Sequence, residues 1–279
     1  MLADSISPLV LSAPGFSLAD TLECGQSFRW ELNDRGIYRG AAGNRALEIR
    51  QEGELLFLYG TAEADLPFWR NYFDLDGAYP EWKRLYQADP VLKTASDFAG
   101  GITILRQDPW EALCSFILSQ NNNIPRIKGI VKRLCEQFGK PLGEGLCGFP
   151  APDRVAAAGL DGLGCLRAGF RAKYLLDAAQ KIDSGEIELE TVAALPYQEA
   201  KAVLMQIAGV GPKVADCALL YGFHRLEAFP ADVWIKRVME RYYPKGLPDF
   251  ALESAGVAQQ YLFHSIRCGV LEGPEKKSG

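Results

Sequence analysis

Two changes of rhythm along the 279 residues predict an α+β protein in which an antiparallel sheet precedes a mostly helical remainder. Between Phe28 and Gly60, apolar and polar residues alternate in short runs broken by turn residues, the period of half-buried strands. Beyond Gly60 apolar positions recur about every 3.6 residues, the period of amphipathic helices. A composition of 48% hydrophobic and 23% charged residues suits a globular chain with a sizeable core.

Strands are expected within 28–32, 37–39, 46–49 and 55–59, with Asn33-Asp34-Arg35-Gly36 and Gly43-Asn44 as turns. Phe68, Trp69, Tyr72, Phe73, Trp82, Leu85 and Tyr86 then fall on helices, and Gly100-Gly101 offers a boundary. It divides a sheet domain with flanking helices, residues 1–99, from a helical domain, residues 100–279. Helices are expected over 109–119, 124–138, 153–158, 168–184, 197–207, 213–221, 232–242 and 254–268. Pro109 and the Pro152-Asp153 pair supply start signals.

No run reaches the roughly 18 apolar residues of a membrane span. The N-terminus has no basic segment leading into a long apolar one, so the default expectation is a cytoplasmic protein, nucleoid-associated if prokaryotic. Seven cysteines without a C-x-x-C pair argue against a disulfide framework and a zinc ribbon, and only Cys268 lies near the C-terminus, so a four-cysteine cluster cannot form there. No cofactor and no metal held by side chains is expected. The net charge of −5 argues against a nucleic-acid partner until the chain is divided. Residues 1–99 carry 9 basic and 15 acidic side chains, whereas residues 100–279 carry 21 and 20. The second part is therefore free to meet phosphates through backbone amides, helix ends and a few arginines.

The richest segment is Gln206-Ile207-Ala208-Gly209-Val210-Gly211-Pro212-Lys213, with Asp232 following in Phe229-Pro230-Ala231-Asp232-Val233. Glycines at 209 and 211 allow positive φ and outward-pointing N–H groups at the start of the next helix, a site for an anion. This predicts a helix-hairpin-helix over about 197–222 and a Gly/Pro-Asp loop over about 223–232. Pro212 suits the first helical position, which puts Lys213 in the first turn, where the helix dipole disfavours an ammonium. An unprotonated lysine is a nucleophile capable of a Schiff base, and a carboxylate can stabilise a cationic sugar. Gly-x-Gly hairpins also serve non-catalytic DNA-binding modules, and a Lys213–Asp232 salt bridge would need no chemistry at all.

Four segments together resemble the 8-oxoguanine DNA glycosylase/AP lyase family of the helix-hairpin-helix superfamily. They are Cys24-Gly25-Gln26-Ser27-Phe28-Arg29-Trp30, Ser119-Gln120-Asn121-Asn122-Asn123-Ile124-Pro125-Arg126, the hairpin through Asp232, and Ala258-Gln259-Gln260-Tyr261-Leu262-Phe263. The resemblance implies excision of 8-oxoguanine from double-stranded DNA, opposite cytosine, followed by cleavage of the abasic strand by β-elimination. It implies Lys213 as nucleophile, Asp232 as its electrostatic partner, and one monomer as sufficient. Gly25 looks like the glycine whose carbonyl accepts the hydrogen that oxidation places on the imidazole nitrogen, a position at which guanine carries an acceptor lone pair. Cys217 and Phe263 resemble the pair that sandwiches the base, with Cys217 near enough to Lys213 to polarise as a thiolate, and Gln259 resembles the reader of its Watson–Crick edge. Asn121 looks like the side chain that fills the vacated space, Arg126 and Arg171 like the arginines on the orphan cytosine, and Phe170 like an aromatic wedge. One of the three consecutive asparagines is expected to cap the helix from Ile124. The hairpin carbonyls of Ile207 and Val210 resemble a cation chelate.

Three positions depart from the family pattern. Trp234 and Ile266 replace a histidine and an aspartate, which removes a coupled polar pair beside the phosphate, and Tyr221 replaces a methionine, which implies a narrower or more polar base slot. Two rivals remain: a monofunctional alkylbase glycosylase, which needs Asp232 without Lys213, and a non-catalytic hairpin module, which needs neither.

Overall fold

The computed structural model describes residues 7–272. Five antiparallel strands, β1 (Leu9–Ser12), β2 (Glu31–Leu32), β3 (Tyr38–Ala42), β4 (Arg45–Glu52) and β5 (Leu55–Tyr59), form one sheet in the order β1-β5-β4-β3-β2. Helix α1 (Leu18–Glu23) lies between β1 and β2. Trp30, Leu47, Ile49, Leu56, Leu58, Trp69 and Phe73 are buried in the core of this part. The Trp30 indole donates to the Tyr72 hydroxyl at 3.0 Å, so the polar tip of the largest buried side chain has a partner.

Helices α2 (Leu66–Tyr72), α3 (Tyr79–Tyr86) and α4 (Pro90–Ala99) follow the sheet. The core does not break at residue 99. Tyr79, Tyr86, Leu92, Ala95 and Ala99 pack into the second, larger core with α5 (Pro109–Ser119), α6 (Ile124–Phe138) and the later helices. Among those later helices are α7 (Pro152–Gly162), α8 (Arg171–Asp183), α9 (Leu189–Ala194), α10 (Tyr197–Leu204), α11 (Pro212–Gly222), α12 (Val233–Tyr242) and α13 (Ala255–Arg267). α4 runs along α13, and the Tyr86 hydroxyl bonds Ser254 Oγ at 2.7 Å and its carbonyl at 2.9 Å.

Three local expectations change. Residues 28–30 are not strand: Phe28 is buried in the helical core and Trp30 in the sheet core, so their alternation reflects two cores on either side of one connection. β1 was not anticipated, nor was the small hairpin of β6 (Pro141–Gly143) and β7 (Leu146–Cys147). Helix α9 was also missed, and α10 ends at Leu204, three residues before the expected end of that helix. Among the described residues no helix is long and apolar enough to cross a membrane.

Candidate active site

The hairpin between α10 and α11 is anchored from outside. Asp177 Oδ2 accepts the Ala208 N–H at 2.7 Å and Lys181 donates to the Gln206 carbonyl at 2.6 Å. Gly209 has φ +76°, and a β-carbon there would stand 2.4 Å from the Tyr174 ring, so both backbone and space exclude a side chain. Gly211 corrects the expectation of two left-handed glycines. Its φ is −94° and ψ −179°, an extended N-cap without a capping side chain, and nothing lies within 4 Å of where its β-carbon would be. The first turn of α11 therefore has no capping side chain to occupy its N–H groups. The Ile207 carbonyl accepts the Val210 N–H at 3.0 Å, closing the turn.

Behind the hairpin, Asp216 locks α11 to α10. It is 5% exposed, accepts the Tyr197 hydroxyl at 2.5 Å and pairs with Lys201 Nζ at 2.8 Å. One turn earlier on α11, half-buried Lys213 projects into a cleft of about 390 Å3, with its Nζ 5.3 Å from the centroid of the Phe116 ring. Asp232 lines the same cleft. It is the N-cap of α12, with Oδ1 accepting the Ile235 N–H at 2.8 Å, which fixes the carboxylate. Among the described residues no ion pair joins Lys213 to Asp232, so a structural salt bridge does not explain their convergence.

Gly25 and Phe263 complete the cleft from opposite ends of the chain. Gly25 is held at φ +89° by its neighbour. The fully buried Gln26 side chain donates to the carbonyls of Thr21 and Thr103 at 3.1 and 2.7 Å, and accepts the Leu105 N–H at 2.9 Å. Gln107 donates to the Gln26 carbonyl at 2.7 Å, and Gln260 on α13 donates to the Cys24 carbonyl at 3.3 Å. Gln259 is 4% exposed, one turn before Phe263, and its Oε1 has no hydrogen-bond partner. A buried amide oxygen left so costs about 1–3 kcal/mol, a penalty that a donor on a ligand would remove.

Two expectations about the pocket are corrected. Cys217 lies beneath the cleft rather than in its lining, and burial pushes its thiol up to about 11. The charge of Lys213 and a hydrogen bond with it pull the other way but do not outweigh burial, so the thiol stays protonated at neutral pH. Tyr221 does not narrow the slot: it is buried, its ring stacks on Phe116 at 5.0 Å, and its hydroxyl donates to Gln260 Oε1 at 2.6 Å. Among the residues missed as lining are Phe116, Ile127 and Arg267, for which core-like or single charged positions left no distinguishing pattern.

The asparagine run divides its work. Asn123 caps α6 through the Arg126 N–H at 3.0 Å, and Asn122 Nδ2 donates to the Leu118 carbonyl at 3.1 Å. Asn121 is exposed in the left-handed region at φ +47°. Arg171 is 3% exposed and donates to the carbonyls of Gln120 at 2.6 Å and Asn121 at 2.7 Å. Of the two arginines expected on the orphan cytosine, Arg126 is open to solvent and Arg171 is bonded to the loop carbonyls. Phe170 is 47% exposed beside it, with the Arg171 guanidinium 4.5 Å from its ring centroid.

Known proteins resemble this chain over most of its length. Residues 8–113 match the 8-oxoguanine DNA glycosylase N-terminal domain, and residues 114–246 match the HhH-GPD superfamily of base excision DNA repair proteins. An N-glycosylase/DNA lyase of Saccharomyces cerevisiae is 32% identical over 272 residues, spanning 84% of this chain and 70% of that one. The structure of MBOgg1 in complex with a low-affinity DNA ligand superposes with a TM-score of 0.89 at 40% identity, covering 96% of this chain and 98% of that one. The 8-oxoguanine glycosylase/lyase of Clostridium acetobutylicum, in complex with double-stranded DNA containing cytosine opposite 8-oxoguanine, gives 0.87 at 36% identity, covering 95% and 97%. On these matches, this protein belongs to the 8-oxoguanine DNA glycosylase/AP lyase family of helix-hairpin-helix base excision repair enzymes.

Proposed function

We propose that Lys213 is the nucleophile with which this DNA glycosylase/lyase removes 8-oxoguanine from duplex DNA and then cuts the abasic strand. The everted base enters the cleft, with the Gly25 carbonyl accepting its imidazole N–H and Phe263 stacking on its face. As the bond from sugar to base breaks, its electron pair leaves with the base, and the Asp232 carboxylate offsets the positive charge left on the sugar. The Nζ of Lys213 bonds the anomeric carbon through its lone pair and gives a proton to the departing base. The bond from that carbon to the ring oxygen then breaks with its electrons on the oxygen, which takes the remaining amine proton and leaves an imine. The imine acidifies the adjacent C2′ hydrogen, and its removal expels the 3′ phosphate with the electrons of the carbon–oxygen bond. One amine thus serves both steps, which separates this reading from a monofunctional glycosylase. Gln259 reads the base edge, while Asn121, Arg126 and Phe170 occupy the duplex where the base has left, opposite cytosine.

The observation that carries the reading is the convergence of Gly25, Lys213, Asp232 and Phe263, far apart in sequence, on one cleft. Borohydride reduction of the protein mixed with an 8-oxoguanine:cytosine duplex tests it. A covalent adduct is expected for the wild type and none for Lys213→Gln. A folded wild type that yields no adduct, or an adduct that survives the substitution, would overturn the assignment.

A further inference from the structure

Arg267 closes the last turn of α13, and Gln259, Phe263 and Arg267 recur at four-residue spacing on one face of that helix. Along this face the buried amide comes first, the half-buried ring second and the exposed guanidinium last, and the ring and the guanidinium line the cleft while the amide lies behind its wall. The Arg267 guanidinium lies 5.3 Å from the centroid of the Phe263 ring and lines the cleft. Its Nη1 is 3.7 Å from the point where a β-carbon on Gly25 would stand. Arg29, Arg45, Arg70 and Arg106 are paired with carboxylates, and Arg133 and Arg171 donate to carbonyls. Among the described residues Arg267 has neither kind of partner. A helix C-terminus favours a cation near its last carbonyls, but that preference does not account for a guanidinium laid over a ring at the mouth of a cleft.

We propose that Arg267 binds the DNA phosphate flanking the everted nucleotide, an inference that rests on the cleft being the base pocket. A base stacked against Phe263 leaves its sugar and phosphates at the mouth, because an unpaired anion is not drawn in among apolar groups. The two parallel N–H donors of a guanidinium match phosphate oxygens, and its charge neutralises them.

Binding of an 8-oxoguanine:cytosine duplex by the full chain, measured across a range of salt concentrations on a Lys213→Gln background that prevents turnover, provides the test. Arg267→Gln should weaken binding about tenfold and make the salt dependence shallower by about one phosphate contact. Arg267→Lys should recover the slope and only part of the affinity. A neutral methylphosphonate at one of the two phosphates flanking the lesion should cause the same loss in the parent protein and no further loss in Arg267→Gln. Unchanged affinity and slope would overturn the inference, as would losses that add in full at both flanking phosphates, which would place the guanidinium on the base. Borohydride trapping with Lys213 intact reports on the pocket itself, so adduct formation beside an inert Arg267→Gln change would dismiss this contact alone.

Discussion

Gly25 shows how one residue joins backbone conformation to chemistry. Its φ of +89° is strained for any side chain, and a β-carbon would come within 3.3 Å of Ile124 Cδ1. Gly25→Ala should therefore strain the loop by on the order of 1–3 kcal/mol and push the carbonyl from its place. Excision of 8-oxoguanine should slow, whereas cleavage of a preformed abasic site, which has no base to seat, should change far less. Single-turnover assays on the two duplexes make the comparison, and equal effects on both would remove Gly25 from base recognition. At this scale much was legible in advance. Lys213 and Asp232 announce themselves through a hairpin that needs glycine and a proline-led loop, and both line the cleft. Arg267 was silent, since an arginine ending a helix is expected for the dipole alone, and only its position over Phe263 distinguishes it.

Elements were legible where local chemistry fixes their ends. Asp108-Pro109 and Asn123-Ile124-Pro125 each combine a capping side chain with proline in the first turn, and α5 and α6 begin and end where expected. β1 has only four residues and depends on its pairing with β5, a contact made across most of the sheet domain's sequence. The Asp216 lock between α10 and α11 was equally hidden, because an aspartate inside a helix looks solvated until its partners are known. Asp216→Ala leaves the Tyr197 hydroxyl and the Lys201 ammonium without their acceptor and should destabilise the fold by about 1–3 kcal/mol. The hairpin should loosen first. Chemical denaturation together with amide hydrogen exchange of the hairpin segment would show this, and unaltered exchange there would mean that the lock does not hold the hairpin.

Across the whole molecule, Asp74 bolts the parts together. It follows α2 and accepts hydrogen bonds from Tyr79 at 2.6 Å, Arg106 at 2.8 Å and His224, beyond α11, at 3.0 Å. Burial works to raise its pKa, but the bonds from His224, Tyr79 and Arg106 outweigh it and hold the carboxyl below the usual value of 3.8. A carboxylate held low in the folded state contributes stability above its unfolded value, and that stability is lost as pH falls through the folded one. Thermal midpoints should therefore drop more steeply below about pH 4 in the wild type than in Asp74→Asn, which starts lower at neutral pH. Parallel curves would mean that this cluster does not govern acid unfolding.

The Gln26 network has a different character, for the bonds that place Gly25 against the helical part run between neutral amides and carbonyls. Counterions screen charged contacts and leave such bonds nearly untouched. Raising ionic strength should thus shorten the protein's residence on DNA without blurring its choice of base, so that grip and discernment answer to separate conditions.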